Sequence, residues 1–144
     1  MVTSNAVAEQ LSQIMSQATA PAFLLGAMAG LISVLVGRLN RIIDRTNALT
    51  SLPADDSARA GLKTDIPRLE RRAKLINKAI EFSVISGIFT TLLVLIAFAA
   101  AFLGIAHGYG AAVLFMLALG SFGISLIYLW AEVRISLSRF DFYG

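Results

Sequence analysis

Apolar positions along this chain fall into long uninterrupted runs separated by segments of opposite character. Between Glu9 and Arg38 there is no charged side chain, and the densest apolar part runs from Ala18 to Gly37. That is close to the ~20 residues a helix needs to cross a bilayer core. Between Glu81 and Glu132 fifty residues carry no carboxylate, Lys or Arg, too many for one crossing and about right for two joined by a tight turn. His107-Gly108-Tyr109-Gly110 supplies the break, because two glycines lower helical propensity where the chain must reverse. The pattern therefore predicts spans over 18–37, 82–106 and 111–131, with a turn at 107–110.

The flanking segments are helical by a different pattern. Val7, Leu11, Ile14, Met15 and Ala18 recur at helical spacing with Glu9, Gln10, Ser12, Gln13 and Gln17 opposite them, so 1–17 reads as an amphipathic helix. It lies in the outer interface or runs directly into the first span, with Pro21 predicting a bend. Beyond Gly37, Leu39, Ile42, Ile43, Thr46 and Leu49 continue an apolar stripe, and Arg38, Arg41 and Arg45 occupy a neighbouring face. This helix is expected to end near Thr50-Ser51-Leu52-Pro53, since Pro53 cannot continue the ladder. A polar stretch with Asp55, Asp56 and Ser57 follows. Asp65 and Pro67 mark a new helix start, and Leu69, Ala73, Ile76 and Ile80 form its stripe.

At ~1.5 Å per residue the two projections reach about 20 and 22 Å. Their matched lengths predict an antiparallel helical hairpin over 38–81, carrying Arg68, Arg71, Arg72, Lys74 and Lys78 on its outer surface. The fold class is thus an all-α integral membrane protein, with three transmembrane helices and two of them extended into a cytoplasmic hairpin, followed by a tail over 132–144.

Composition narrows the function classes. Hydrophobic residues make up 57% of the 144 and charged ones 15%, and the mean hydropathy is +0.76. A chain of this length buries only on the order of 70% of its surface, so the surplus requires lipid and excludes a soluble enzyme or a disordered chain. No cysteine and one histidine are present, which removes thiolate chemistry and leaves no metal site, cofactor or catalytic group to expect. His107 falls in the external turn. Ala18-Thr19-Ala20 has the small residues of a cleavage site, but the stretch from Glu9 to Gln13 is too polar for a signal peptide, so no cleavage is expected.

All twelve Lys and Arg lie in Arg38–Glu81 or after Glu132, and positive residues in short loops stay on the cytoplasmic side. The N-terminus is expected outside and the C-terminus inside a bacterial inner membrane. The basic pI of about 9.7 then reflects orientation and affinity for anionic headgroups, with no nucleic-acid partner expected.

Three sets of candidate residues follow. Arg38, Glu81 and Glu132 stand at the inner ends of the three spans and predict an interfacial ionic layer, with Asn77, Lys78 and Arg134 near it. Gly26 and Gly30 form a GxxxG pair for helix packing or an oligomer interface. Ser33 and Gly37, continuing into Arg38, Arg41 and Arg45, are the candidate pore and selectivity residues. Rings of Arg favour anions, but three helices enclose too little volume, so conduction demands a homo-oligomer. A second lining, Ser83, Ser86 and Thr90 with Thr91, is expected to hydrogen-bond its own backbone instead. Tyr128, Trp130, Phe140, Phe142 and Tyr143 read as an interfacial aromatic belt.

The stretch Pro21-Ala22-Phe23-Leu24-Leu25 leading to Val34-Leu35-Val36-Gly37-Arg38-Leu39-Asn40-Arg41-Ile42-Ile43-Asp44-Arg45 resembles the signature of a bacterial membrane-protein family catalogued only as a domain of unknown function. The run from Leu69 to Ile80 and the closing Glu132 are similar to its later blocks. The resemblance implies an inner-membrane protein of about three helices and carries no activity. Two functions are expected to compete: a homo-oligomeric ion channel with a basic cytoplasmic vestibule, and a structural or adaptor protein whose basic hairpin binds a cytoplasmic partner or anionic lipid.

Overall fold

The computed structural model describes residues 2–51, 61, 64–105 and 108–138, with the side chain of Val2 excepted. Pro53, Asp55, Asp56, Ser57, His107, Arg139, Phe140, Phe142 and Tyr143 lie outside them. Among the described residues the chain forms α1 (Val2–Thr50), α2 (Ile66–Leu103) and α3 (Gly108–Leu137). Each is long and apolar enough to cross a membrane.

The local signals act where they were expected at the ends of the first two helices. Thr50 donates its hydroxyl to the carbonyls of Thr46 and Asn47, and Ser51 to that of Ala48, so side chains add hydrogen bonds at the last turn of α1, where helical partners run out. At the start of α2 the Leu69 amide bonds the Asp65 carbonyl at 3.0 Å, and Pro67 sits in the first turn, where its missing N–H costs nothing.

The N-terminal segment was expected either to lie in the outer interface or to run into the first span, and it does the latter: α1 is one helix of 49 residues with Pro21 inside it. Pro21 removes one ladder bond, and such a loss is tolerated in apolar surroundings when neighbouring segments hold the helix. The reversal comes earlier than the expected 107–110. α2 stops at Leu103, Gly104 adopts φ 66°, and the Ile105 amide reaches the Ala100 carbonyl at 3.1 Å. These are the marks of a Schellman C-cap, with glycine in the left-handed position that other residues resist. Gly108, Tyr109 and Gly110 already belong to α3.

The chain divides into two compact units. Unit 1 comprises Met1–Gly30 and Ser83–Phe122, and unit 2 comprises Leu31–Phe82 and Gly123–Gly144. In unit 1, Leu24, Met28 and Ala118 are buried against Phe89, Phe115 and Phe122. Its polar side chains are turned inward: Ser83, Ser86 and Thr90 are fully buried, while Phe23, Leu95, Phe102 and Met116 are exposed. This inverts the arrangement of a water-soluble protein and suits a solvent as apolar as the side chains that meet it. Of the N-terminal stripe, Ile14 and Ala18 are half-buried, whereas Val7, Leu11 and Met15 face outward.

In unit 2, Leu35 and Ile42 of α1 pack with Leu69, Ile76 and Ala79 of α2. Leu35, Ile42 and the half-buried Leu49 recur every seven residues, as do Leu69 and Ile76. That is the spacing of a coiled-coil-like seam. Contacts between α2 and α3 run in opposite directions along the two helices. Arg68 meets Ile135 and Ser138, Arg72 meets Glu132, and Ser125 meets Ala79. Phe82 stacks on Tyr128 with centroids 5.7 Å apart.

Candidate functional site

The site is built around Glu132 in α3, whose side chain is fully buried. A lone carboxylate could not be held there, because desolvating one charge costs several kcal/mol; two arginines from two other helices compensate it. Arg72 of α2 donates Nε to Oε1 at 2.8 Å and holds Nη2 2.7 Å from the same oxygen as an ion pair. Arg38 of α1 brings Nε within 3.2 Å of Oε2, out of line for a hydrogen bond. Glu132 therefore ties all three helix segments of unit 2 together.

Beside this triad unit 2 opens into a cavity of about 670 Å³. Its polar wall comprises Arg38, Arg41 and Arg45 from one face of α1, Arg72 from α2, and the hydroxyls of Ser33 and Ser136. Val34, Gly37, Ile42 and Leu69 complete it. Among the described residues no carboxylate lines it. Glu132, outside the lining, pairs with Arg38 and Arg72, and Asp65 stands 3.7 Å from Arg45. Among the described residues Arg41 makes no ion pair. Among these residues four guanidinium groups thus face two carboxylates, leaving two formal positive charges.

All five residues singled out from the sequence as a polar path, Ser33, Gly37, Arg38, Arg41 and Arg45, line this one cavity. The ionic layer is distributed differently. Glu132 takes Arg38, but Glu81 pairs with Lys78 of its own helix at 2.7 Å, and that pair is exposed. Arg134 lies over the Trp130 ring, 5.0 Å from its centroid. At Gly26, Gly30 and Gly37 an added Cβ would meet nothing within 4 Å, so the small-residue line packs no neighbour within the described chain.

The hydroxyls of the second candidate lining act as internal fastenings. Thr90 and Thr91 bond the carbonyls of Ser86 and Gly87, one turn back. Ser86 instead donates to the Ala118 carbonyl of α3 at 2.6 Å. Ser125 makes the equivalent bond in unit 2, at 2.6 Å to the Ala79 carbonyl. Arg68 donates to the Ile135 carbonyl and, at 3.1 Å, to the Ser138 hydroxyl, serving acceptors that the end of α3 leaves without helical partners.

The sequence places Arg72 on the outer surface of the hairpin, whereas it turns inward to the buried Glu132 and the cavity; Ser125 and Ser136 are not singled out there at all. A signal for Arg72 exists: Arg38 stands seven residues before Arg45, and Arg72 seven residues after Asp65, the partner of Arg45. Ser125 and Ser136 carry no comparable mark, because a serine in an apolar helix looks the same whether it bonds its own backbone or a neighbour's.

Three apolar helices with polar side chains turned inward define a multi-pass membrane protein with an arginine-lined cavity. The chain belongs to the family described as protein of unknown function (DUF2721), which matches residues 18–142. No curated protein and no solved structure matches it.

Proposed function

We propose that this chain is a multi-pass protein of the bacterial inner membrane, with its N-terminus outside and its C-terminus in the cytoplasm. It works as a homo-oligomer whose basic unit 2 engages anionic lipid headgroups at the inner surface. The observation that carries this reading is the gathering of Arg38, Arg41, Arg45 and Arg72 on one cavity that no carboxylate of the described residues lines. The cytoplasmic extensions form an antiparallel hairpin in this reading, supported by the Arg45–Asp65 pair and by the shared hold of Arg38 and Arg72 on Glu132. Orientation rests on the one-sided distribution of Lys and Arg. Homo-oligomerisation is supported by the uncovered glycine line in α1.

The reading is tested by retention of lipid on the full chain in neutral detergent supplied with equal amounts of phosphatidylglycerol and phosphatidylcholine. Preferential retention of phosphatidylglycerol, weakening as salt rises, supports it. Equal retention of the two overturns it.

A second reading, an anion channel, is favoured by one observation: Ser33 and Gly37, from the uncharged stretch of α1, line the same cavity as the arginines. In planar bilayers Arg41→Gln and Arg45→Gln would then shift the reversal potential toward cations, with Lys replacements preserving it. Absence of protein-dependent current across voltage and salt gradients removes this reading.

A further inference from the structure

We infer that the cavity of unit 2 is a discrete binding site for one phosphate group, with Arg41 as its principal unshared ligand and Arg45, Arg72, Ser33 and Ser136 around it. The inference rests on the reading of unit 2 as a surface that engages anions, and it adds a defined position, a ligand class and a stoichiometry of one group per chain.

The arginines are not equivalent, and their differences place the anion. Arg72 donates Nε to Glu132 Oε1 and is ion-paired with it through Nη2, and Arg38 is held to Oε2. Arg45 has a distant partner in Asp65. Arg41 makes no ion pair among the described residues yet lines the same cavity. A planar guanidinium with its donors uncommitted is suited to hold two oxygens of a tetrahedral oxyanion at once. The hydroxyls of Ser33 and Ser136 supply further donors on the same wall.

Volume and lining agree with a phosphate ester as well as with a free ion. About 670 Å³ lies within the roughly 300–1,000 Å³ of ordinary small-molecule sites. Val34, Ile42 and Leu69 give the arginine cluster an apolar border. The shared chemistry is a phosphate oxyanion, borne either by a phospholipid headgroup or by a free phosphate.

Two probes on the purified full chain in neutral detergent separate these sources. One is calorimetric titration with inorganic phosphate, and the other is retention of phosphatidylglycerol. Both are applied to the wild type, Arg41→Gln, Arg41→Lys and Arg71→Gln. Arg71 is exposed on α2 and does not line the cavity, so its loss removes the same charge without touching the site. Because Arg41 makes no ion pair among the described residues, its variants are expected to keep the wild-type elution volume and helical content.

The expected result is binding about tenfold weaker in Arg41→Gln, partly restored in Arg41→Lys and changed less than about twofold in Arg71→Gln. Phosphate binding assigns the free anion; retained phosphatidylglycerol without phosphate binding assigns the headgroup; each supports the site. Equal losses in Arg41→Gln and Arg71→Gln overturn the site while leaving the broader anionic-surface reading standing. Absence of any anion preference in the wild type overturns both.

Discussion

Oε2 of Glu132 and Nε of Arg38 lie 3.2 Å apart, and neither has a hydrogen-bond partner among the described residues. The other carboxylate oxygen accepts a hydrogen bond from Arg72 Nε and lies 2.7 Å from its Nη2. The two arginines thus hold the same buried charge in different ways, one with a directed bond and one by attraction alone.

This asymmetry ranks their substitutions. Glu132→Ala strands two guanidinium groups and is expected to cost about 3 kcal/mol or more, the usual penalty for breaking a buried ion pair from one side. Arg72→Gln should lower the thermal midpoint in detergent more than Arg38→Gln, because it removes the directed bond. Equal effects of the two would show that alignment counts for little here. Glu81→Gln, acting on an exposed pair, should leave the midpoint unchanged.

Ser86→Ala and Ser125→Ala each delete a hydroxyl that bonds a carbonyl of another helix. Bonds of this kind in membrane proteins are worth about 0.6 kcal/mol on average. Small, additive falls in the midpoint are expected, since the two serines lie in different units. Thr91→Ala, which removes only a bond to the residue's own helix, should have no measurable effect.

Gly104→Ala places a Cβ on a residue with φ 66°. A penalty of about 1 kcal/mol is expected from the left-handed conformation alone, since the space around it is open. Gly110→Ala, within α3, should be neutral or stabilising. The two midpoints measured side by side locate the reversal.

An added Cβ at Gly26 or Gly30 meets nothing within 4 Å in the described chain, so with Gly26→Leu or Gly30→Leu the midpoint of the separated protomer is not expected to fall. If this face joins copies of the chain, the mass of the detergent-solubilised assembly drops instead. An unchanged mass in both variants moves the interface away from this line.

Orientation is open to labelling because the chain contains no cysteine. Gly108→Cys should react with an impermeant thiol reagent in intact cells, and Ser57→Cys only after lysis. The opposite pattern inverts the proposed topology.

The parts of the fold that were legible in the sequence are those governed by local chemistry or by long averages. Uncharged runs locate the three apolar helices, and Asp65 with Pro67 locates the start of α2, because each signal acts within one turn or over a whole span. Whether the N-terminal helix continues past Pro21 was left open by the sequence, because the effect of a proline on a helix depends on neighbours that periodicity cannot show. The reversal was placed at 107–110 with the glycine pair Gly108 and Gly110, whereas the preceding helix already ends at Gly104, in the left-handed position. Arg38, Arg41 and Arg45 were visible as a stripe on one helix. Their gathering with Arg72 and Ser136 depends on tertiary register, which leaves only a faint trace in the seven-residue spacings on either side of Arg45 and Asp65.

The position of Glu132 near the end of the chain has a consequence for biogenesis. A ribosome delivers Arg38 and Arg72 sixty or more residues before the carboxylate that both will share. Until α3 arrives, the two cations have reason to repel each other and no shared counter-charge to hold them together. Closure of unit 2 therefore waits on the last helix, and a chain interrupted before residue 132 carries both arginines into the membrane surface without the group that reconciles them.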